Sequence, residues 1–280
     1  MSGFLAQVCA QAVTRVAAAR RHEPLDALRA RAAATPPPPE FGAALRGGRI
    51  IAEIKRASPS RGVIDADCNA AAQAGAYVAG GAAAVSVLTE PEHFRGDLPD
   101  LHAVVAAVPV PVVRKDFVVD PYQLFEARAA GAAAALLLVA ALDQQQLVTL
   151  LAAARDAGIE ALIETHDVEE ARRAGAALSA LPPTGTAPVI GVNARDLRRL
   201  SVDRGTFAAV VGALPPGAVV VAESGVDGPD DVERYICDGA DAVLVGEHLM
   251  RATDPAAATR ALATAAAAAL RSPSTTKERP

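Results

Sequence analysis

The sequence predicts a single (β/α)8 TIM barrel with an N-terminal helical extension, and three observations point there. The 280 residues are half hydrophobic, rich in Ala, Val and Leu and only 3% aromatic, which suits one closely packed α/β domain of about 250 residues. One phrase recurs, in which a helix ends at glycine and a short apolar run follows: GGAAAVSVL from residue 80, AGAAAALLL from 130, AGIEALI from 157 and DGADAVLV from 238. The glycines at 81, 131, 158 and 239 are 50, 27 and 81 residues apart, close to two, one and three βα units of ~25–27 residues. Finally, runs such as VVVAE and AVLVG are continuously apolar, the pattern of parallel strands buried on both faces.

The elements follow in order. Residues 1–33 read as helix outside the repeat, and PPPPE (36–40) cannot continue it because proline lacks the N–H and clashes with the preceding turn. The extension and its linker therefore span 1–40 and the barrel 41–271. Strands are expected near 49–55, 83–88, 110–115, 133–139, 159–164, 188–193, 218–223 and 241–246. Helix starts are signalled at Asp120-Pro121, Asp167 and Asp227 to Pro229 by the preference for Asp at the cap and Pro in the first turn. The polar tail 272–280 is expected to be disordered.

Composition narrows the function. A net charge of -5 without a long Lys/Arg run argues against nucleic acid or anionic lipid as partner, since both demand concentrated positive charge; a small molecule fits better. Cys9, Cys68 and Cys237 are odd in number and lack C-x-x-C spacing, which speaks against disulfides or a zinc site and for a reducing cytoplasm. MSGFLAQVCAQ has no basic leader, and the longest apolar run, 131–142, is too short for a bilayer.

Polar residues interrupt this apolar pattern at the C-terminal ends of the strands, the face that carries the active site in this fold. They are Glu53 and Lys55, Arg114 to Asp116, Glu164, Asn193, and Glu223 with Ser224. Singly, each reads equally as a rim charge, cap or turn former; together, acids and ammonium groups in one mouth are costly unless they pair or bind a ligand. ESGVDGPDD (223–231) and VGEHLM (245–250) each run strand, glycine, helix start, an arrangement whose free N–H groups suit a phosphate. Glu164 and His166 have no third ligand at metal spacing, so no metal is expected and His166 reads as a loop or cap residue.

These residues fall in segments that resemble the indole-3-glycerol-phosphate synthase family: AEIKRASPSRG (52–62), SVLTEPEHFRGDLPDL (86–101), PVVRKDFVVDPYQLFEAR (111–128), LIETHD (162–167), GVNARDL (191–197), AESGV (222–226) and LVGEHLM (244–250). The resemblance implies ring closure, decarboxylation and dehydration of 1-(2-carboxyphenylamino)-1-deoxyribulose 5-phosphate without a cofactor. It implies that Lys115 is the general acid, that Lys55 meets the substrate carboxylate and helps expel hydroxide, and that Glu164 serves as base or acid. Glu53 and Asn193 would shape the charge around the developing alcohol. Ser58, Gly225 and Gly246 match phosphate contacts, Ser224 a polar site position, Phe94 and Phe117 neighbours of the aromatic ring, Glu223 a substrate contact, and Arg195 a partner of Glu53. Mutual repulsion of the two lysines is expected to lower their pKa values. Ala194 and Thr165 depart from the family's usual Asn and Val and remove none of these groups. Two alternatives stay open: a phosphoribosylanthranilate isomerase, which calls for a Cys or Asp pair at strand ends, and a non-catalytic regulatory barrel. A monomer is expected.

Overall fold

A computed structural model describes residues 3–195 and 201–271. Eight parallel strands close into one barrel: β1 (Arg49–Ile54), β2 (Ala84–Leu88), β3 (Val112–Lys115), β4 (Ala134–Leu138), β5 (Glu160–Thr165), β6 (Val189–Asn193), β7 (Val219–Glu223) and β8 (Ala242–Val245). Each pairs with its neighbour in sequence, and β8 returns to β1 with Arg49 opposite Ala242 and Ala52 opposite Val245. Every expected strand is present within two residues of its expected bounds. The tail 272–280 and residues 196–200, which end the GVNARDL segment, lie outside the described residues.

Helix starts follow the capping chemistry at two of the three signalled places. Asp120 forms a capping box with Gln123 ahead of Pro121–Ala129, and Asp167 accepts the Glu170 N–H ahead of Val168–Ser179. The third expectation is corrected: Gly228 sits at the cap of Pro229–Cys237, while the Asp227 carboxylate is drawn away to Arg204 at 2.6 Å. A small antiparallel hairpin, Ala57–Ser58 with Gly62–Val63, follows β1 and lay outside the strand count expected from sequence.

Inside the barrel, Ile51, Val113, Leu136, Leu162, Val221 and Leu244 form the apolar lower layer. Phe41 and Leu45 are fully buried and belong to the same cluster, closing the base. Side chains alternate faces along a strand, so two residues beyond Ile51, Val113, Leu162 and Val221 the chain must also point inward. Those positions are Glu53, Lys115, Glu164 and Glu223: the apolar register delivers the charged layer above it.

The extension forms two helices, Gly3–His22 and Leu25–Ala34. Arg15 from the first reaches Asp116 at 3.0 Å, the Phe4 ring meets His93 edge-on at 5.1 Å, and the Tyr122 hydroxyl donates to the Glu23 carbonyl at 3.0 Å. Through these contacts it packs against the loop after β2 and the segment around the end of β3.

Candidate active site

Lys115 occupies the centre of the mouth, mostly buried, with Nζ 3.0 Å from Glu164 Oε2 and 3.2 Å from Glu223 Oε2. The first contact is a hydrogen bond; the second is an ion-pair approach without hydrogen-bond alignment, so neither Glu223 oxygen has a hydrogen-bond partner. Asn193 Nδ2 donates to Glu164 Oε1 at 2.7 Å, and Ser224 Oγ donates to Asn193 Oδ1 at 2.7 Å. On β1, Lys55 Nζ donates to Glu53 Oε1 at 2.9 Å, with Ser86 Oγ at 3.4 Å from Oε2.

The electrostatics follow from burial against pairing. Burial opposes an ammonium at Lys115, but Glu164, Glu223 and Glu53 outweigh it and raise its pKa. This reverses the expectation of a lowered lysine pKa, because carboxylates on three other strands surround the group. Burial likewise opposes ionisation of Glu53 and Glu164, yet Lys55 and Lys115 hold the first below the usual carboxylate range, and Lys115, His166 and Asn193 hold the second well below it. At Glu223 burial prevails, helped by the Glu164 charge, and its carboxyl is pushed up to about 8. The mouth thus holds one carboxyl raised above the usual carboxylate range beside two held below it.

A cavity of about 1030 Å³ opens beside this cluster, between the ends of β1, β7 and β8. Lys55, Arg195, Ser224, Gly225 and Gly246 line it. Ser224 and Gly225 both have positive φ, 69° and 74°, a backbone that turns sharply at the end of β7. A Cβ on Gly246 would stand 2.6 Å from Glu53 Oε1 and 3.0 Å from Lys55 Nζ, so glycine there is what lets the acid–lysine pair approach the β8 turn.

A family model described as indole-3-glycerol phosphate synthase matches residues 5–262. The chain belongs to that family. A relative of that name from Mycolicibacterium smegmatis is 51% identical over 243 residues, 86% of each chain, and one from Beutenbergia cavernae is 54% identical over 218 residues, 78% of each. Among solved structures, a thiamine phosphate pyrophosphorylase from Pyrococcus furiosus (TM-score 0.59, 15% identity, 81% of this chain and 98% of that one) and a 3-hexulose-6-phosphate synthase from Salmonella typhimurium (TM-score 0.59, 16%, 78% and 98%) share the fold alone.

Within this indole-3-glycerol phosphate synthase member, the remaining expected positions sort as follows. Ser58 is buried on the hairpin after β1, 3.4 Å from Ser60 Oγ. Phe94 and Phe117 lie side by side, ring centroids 6.3 Å apart and inclined at 45°. The Arg195 N–H donates to Asn193 Oδ1 at 3.0 Å and its Nη1 reaches Ser60 Oγ at 3.4 Å, while the ion-pair partner of Glu53 among the described residues is Lys55, so Arg195 does not take the place expected for it. Arg114 and Asp116 point away from the mouth, into a network with Arg15, Thr89 and Glu126. His166 is the residue sequence reasoning missed. It is mostly buried, with Nε2 3.3 Å from Glu164 Oε1 and Nδ1 3.1 Å from Glu170 Oε2. Its signal was the strand register, since Leu162, Glu164 and His166 share one face.

Proposed function

We propose that this chain catalyses the reaction its family is named for, converting 1-(2-carboxyphenylamino)-1-deoxyribulose 5-phosphate to indole-3-glycerol phosphate, carbon dioxide and water. The observation that supports it most is the buried ammonium of Lys115, paired with the ionised Glu164 beside a cavity large enough for a phosphorylated substrate. A bond forms between the ring carbon bearing the carboxylate and the ketone carbon, carbon dioxide leaves, and the former ketone oxygen departs as water. That oxygen needs two protons. The substrate releases one as the indole forms, so one enters from solvent in each turnover.

Lys115 donates the first proton as the ring carbon attacks; an alkoxide is basic enough to take it even from an ammonium that carboxylates hold firmly protonated. Lys55 meets the substrate carboxylate and assists loss of hydroxide, Glu164 moves the protons of dehydration, and Glu53 and Asn193 hold these groups in place. Ser58, Gly225 and Gly246 receive the phosphate, Ser224 orients Asn193, Arg195 closes the rim, Phe94 and Phe117 border the aromatic ring, and Glu223 contacts substrate from the base of the mouth. None of Cys9, Cys68 and Cys237 lines the cavity, which favours this reading over isomerase chemistry built on a cysteine.

In the same reading residues 41–271 are the catalytic barrel, and the protein acts as a cytoplasmic monomer on a small molecule, without a nucleic-acid or membrane partner. No helix among the described residues is long and apolar enough to cross a membrane. Incubation with the carboxyphenylamino substrate, with no metal or nucleotide added, should produce indole fluorescence; activity abolished by a chelator and restored by metal would contradict the proposal.

A further inference from the structure

The Glu164 carboxylate is held unevenly. Oε2 faces Lys115, whereas Oε1 takes Asn193 Nδ2 at 2.7 Å and has His166 Nε2 at 3.3 Å. His166 is itself fixed from behind, because Glu170 Oε2 accepts from its backbone N–H at 2.8 Å and meets Nδ1 at 3.1 Å. The imidazole is therefore bracketed by two carboxylates, one in the barrel mouth and one on the first turn of the helix Val168–Ser179. Its Nε2 is buried and makes no aligned hydrogen bond, so charge is what ties it to Glu164.

In the proposed reaction Lys115 gives its proton away and for part of the cycle is no longer a cation. The other ionisable groups around the Glu164 carboxylate are Glu53 on β1, Lys55 just beyond that strand, and Glu223 on β7, and Lys55 is engaged by Glu53 at 2.9 Å. A second cation must then stabilise Glu164, and the bracketed imidazole is placed to be it.

We propose that His166 is a positioning residue for Glu164: as an imidazolium clamped by Glu170, it keeps the carboxylate ionised and turned with Oε2 toward Lys115 after that lysine has released its proton. The inference rests on the reading of Lys115 as proton donor. It also has an independent consequence, because burial opposes the imidazolium but Glu164 and Glu170 outweigh it and push its pKa up to about 10.

The test is the pH profile of kcat/KM in the full-length enzyme, read for wild type, His166→Asn and Glu170→Gln, together with NMR titration of the imidazole in the ligand-free protein. Removing a cation beside a carboxylate raises that carboxylate's pKa by about 1–3 units, so His166→Asn should move the acid limb up by that much with little change in KM. Glu170→Gln, which keeps a side-chain oxygen able to accept the His166 backbone N–H, should move it the same way by less. In wild type the His166 imidazole should stay protonated past pH 8. An acid limb unmoved in both variants, or an imidazole neutral at pH 7, overturns the proposal. Absence of turnover in wild type would instead overturn the reaction assigned above, and the NMR titration would still decide the state of His166.

Discussion

At the end of β3 three consecutive charged residues feed two different clusters. Arg114 and Asp116 turn outward, where Asp116 accepts from Arg15 and its own neighbour's N–H at Phe117 through Oδ1, and from Thr89 and Arg114 through Oδ2, all within 3.0 Å. Arg114 adds a 2.7 Å bond to Glu126. Lys115 turns inward to Glu164 and Glu223, and neither oxygen of Glu223 is hydrogen-bonded. Both clusters are buried, so burial does not separate structural charge from functional charge. The acids differ: four donors on Asp116 fix a helix against a barrel, while the Glu223 oxygens beside Lys115 take no hydrogen bond and remain available to a ligand.

Breaking each cluster should therefore give opposite signatures. The largest effect is expected inside: Lys115→Ala should lower kcat by about 10²- to 10⁴-fold with KM little changed, as for a group used chiefly in the transition state. Outside, Asp116→Ala removes the acceptor of four donors, although Arg114 keeps Glu126, and should cost about 1–3 kcal/mol of stability, read as a lower denaturant midpoint, while the protein that remains folded keeps its KM. If the folded fraction of the aspartate variant lost kcat as the lysine variant does, the distinction between the clusters would fail.

A smaller change sharpens the boundary of the inner cluster. Gly246→Val should raise KM by removing phosphate contacts made alike in ground and transition states. Because the new Cβ would meet the Glu53–Lys55 pair, kcat should fall as well, by less than KM rises. Steady-state kinetics with KM unchanged would place the phosphate elsewhere.

The mildest expected effect is a slope. The pKa values of Glu223, pushed up to about 8, and His166, pushed up to about 10, lie above their ordinary 4.5 and 6.5. Each binds its proton more tightly folded than unfolded, so the stability it lends is full below the unfolded value and fades as pH rises through the folded one. The melting temperature should drift down from about pH 4.5 to 10 for this reason, through Glu223 up to about pH 8 and through His166 above about 6.5, and His166→Asn should flatten the upper part of that drift. A parallel slope in the variant would show that His166 is neutral in the fold.

Much of this was legible in the sequence. The glycine-apolar phrase located four strands, and its spacing placed the other four in the gaps, because a βα module has a nearly fixed length and its strands are apolar throughout. Polar strand ends located Lys55, Lys115, Glu164 and Asn193, because charge has no place there unless it converges. What stayed hidden depended on distance in space. Strand alternation turns Arg114 and Asp116 away from Lys115, but nothing local says that Arg15, about a hundred positions earlier, completes their network. The lysine pKa was misjudged because its carboxylate neighbours arrive from other strands. Gly191 read as an ordinary strand residue, yet a Cβ there would fall 2.0 Å from Glu223 Oε1; the glycine makes room for that carboxyl in the mouth.

The central claim is that Lys115 works by giving up a proton, although a lysine at a barrel strand end beside a ketose phosphate also suits an iminium. Borohydride added during turnover, followed by the intact mass of the protein, decides between them. Proton donation predicts an unaltered mass; a reduced substrate adduct mapped to Lys115 would contradict it.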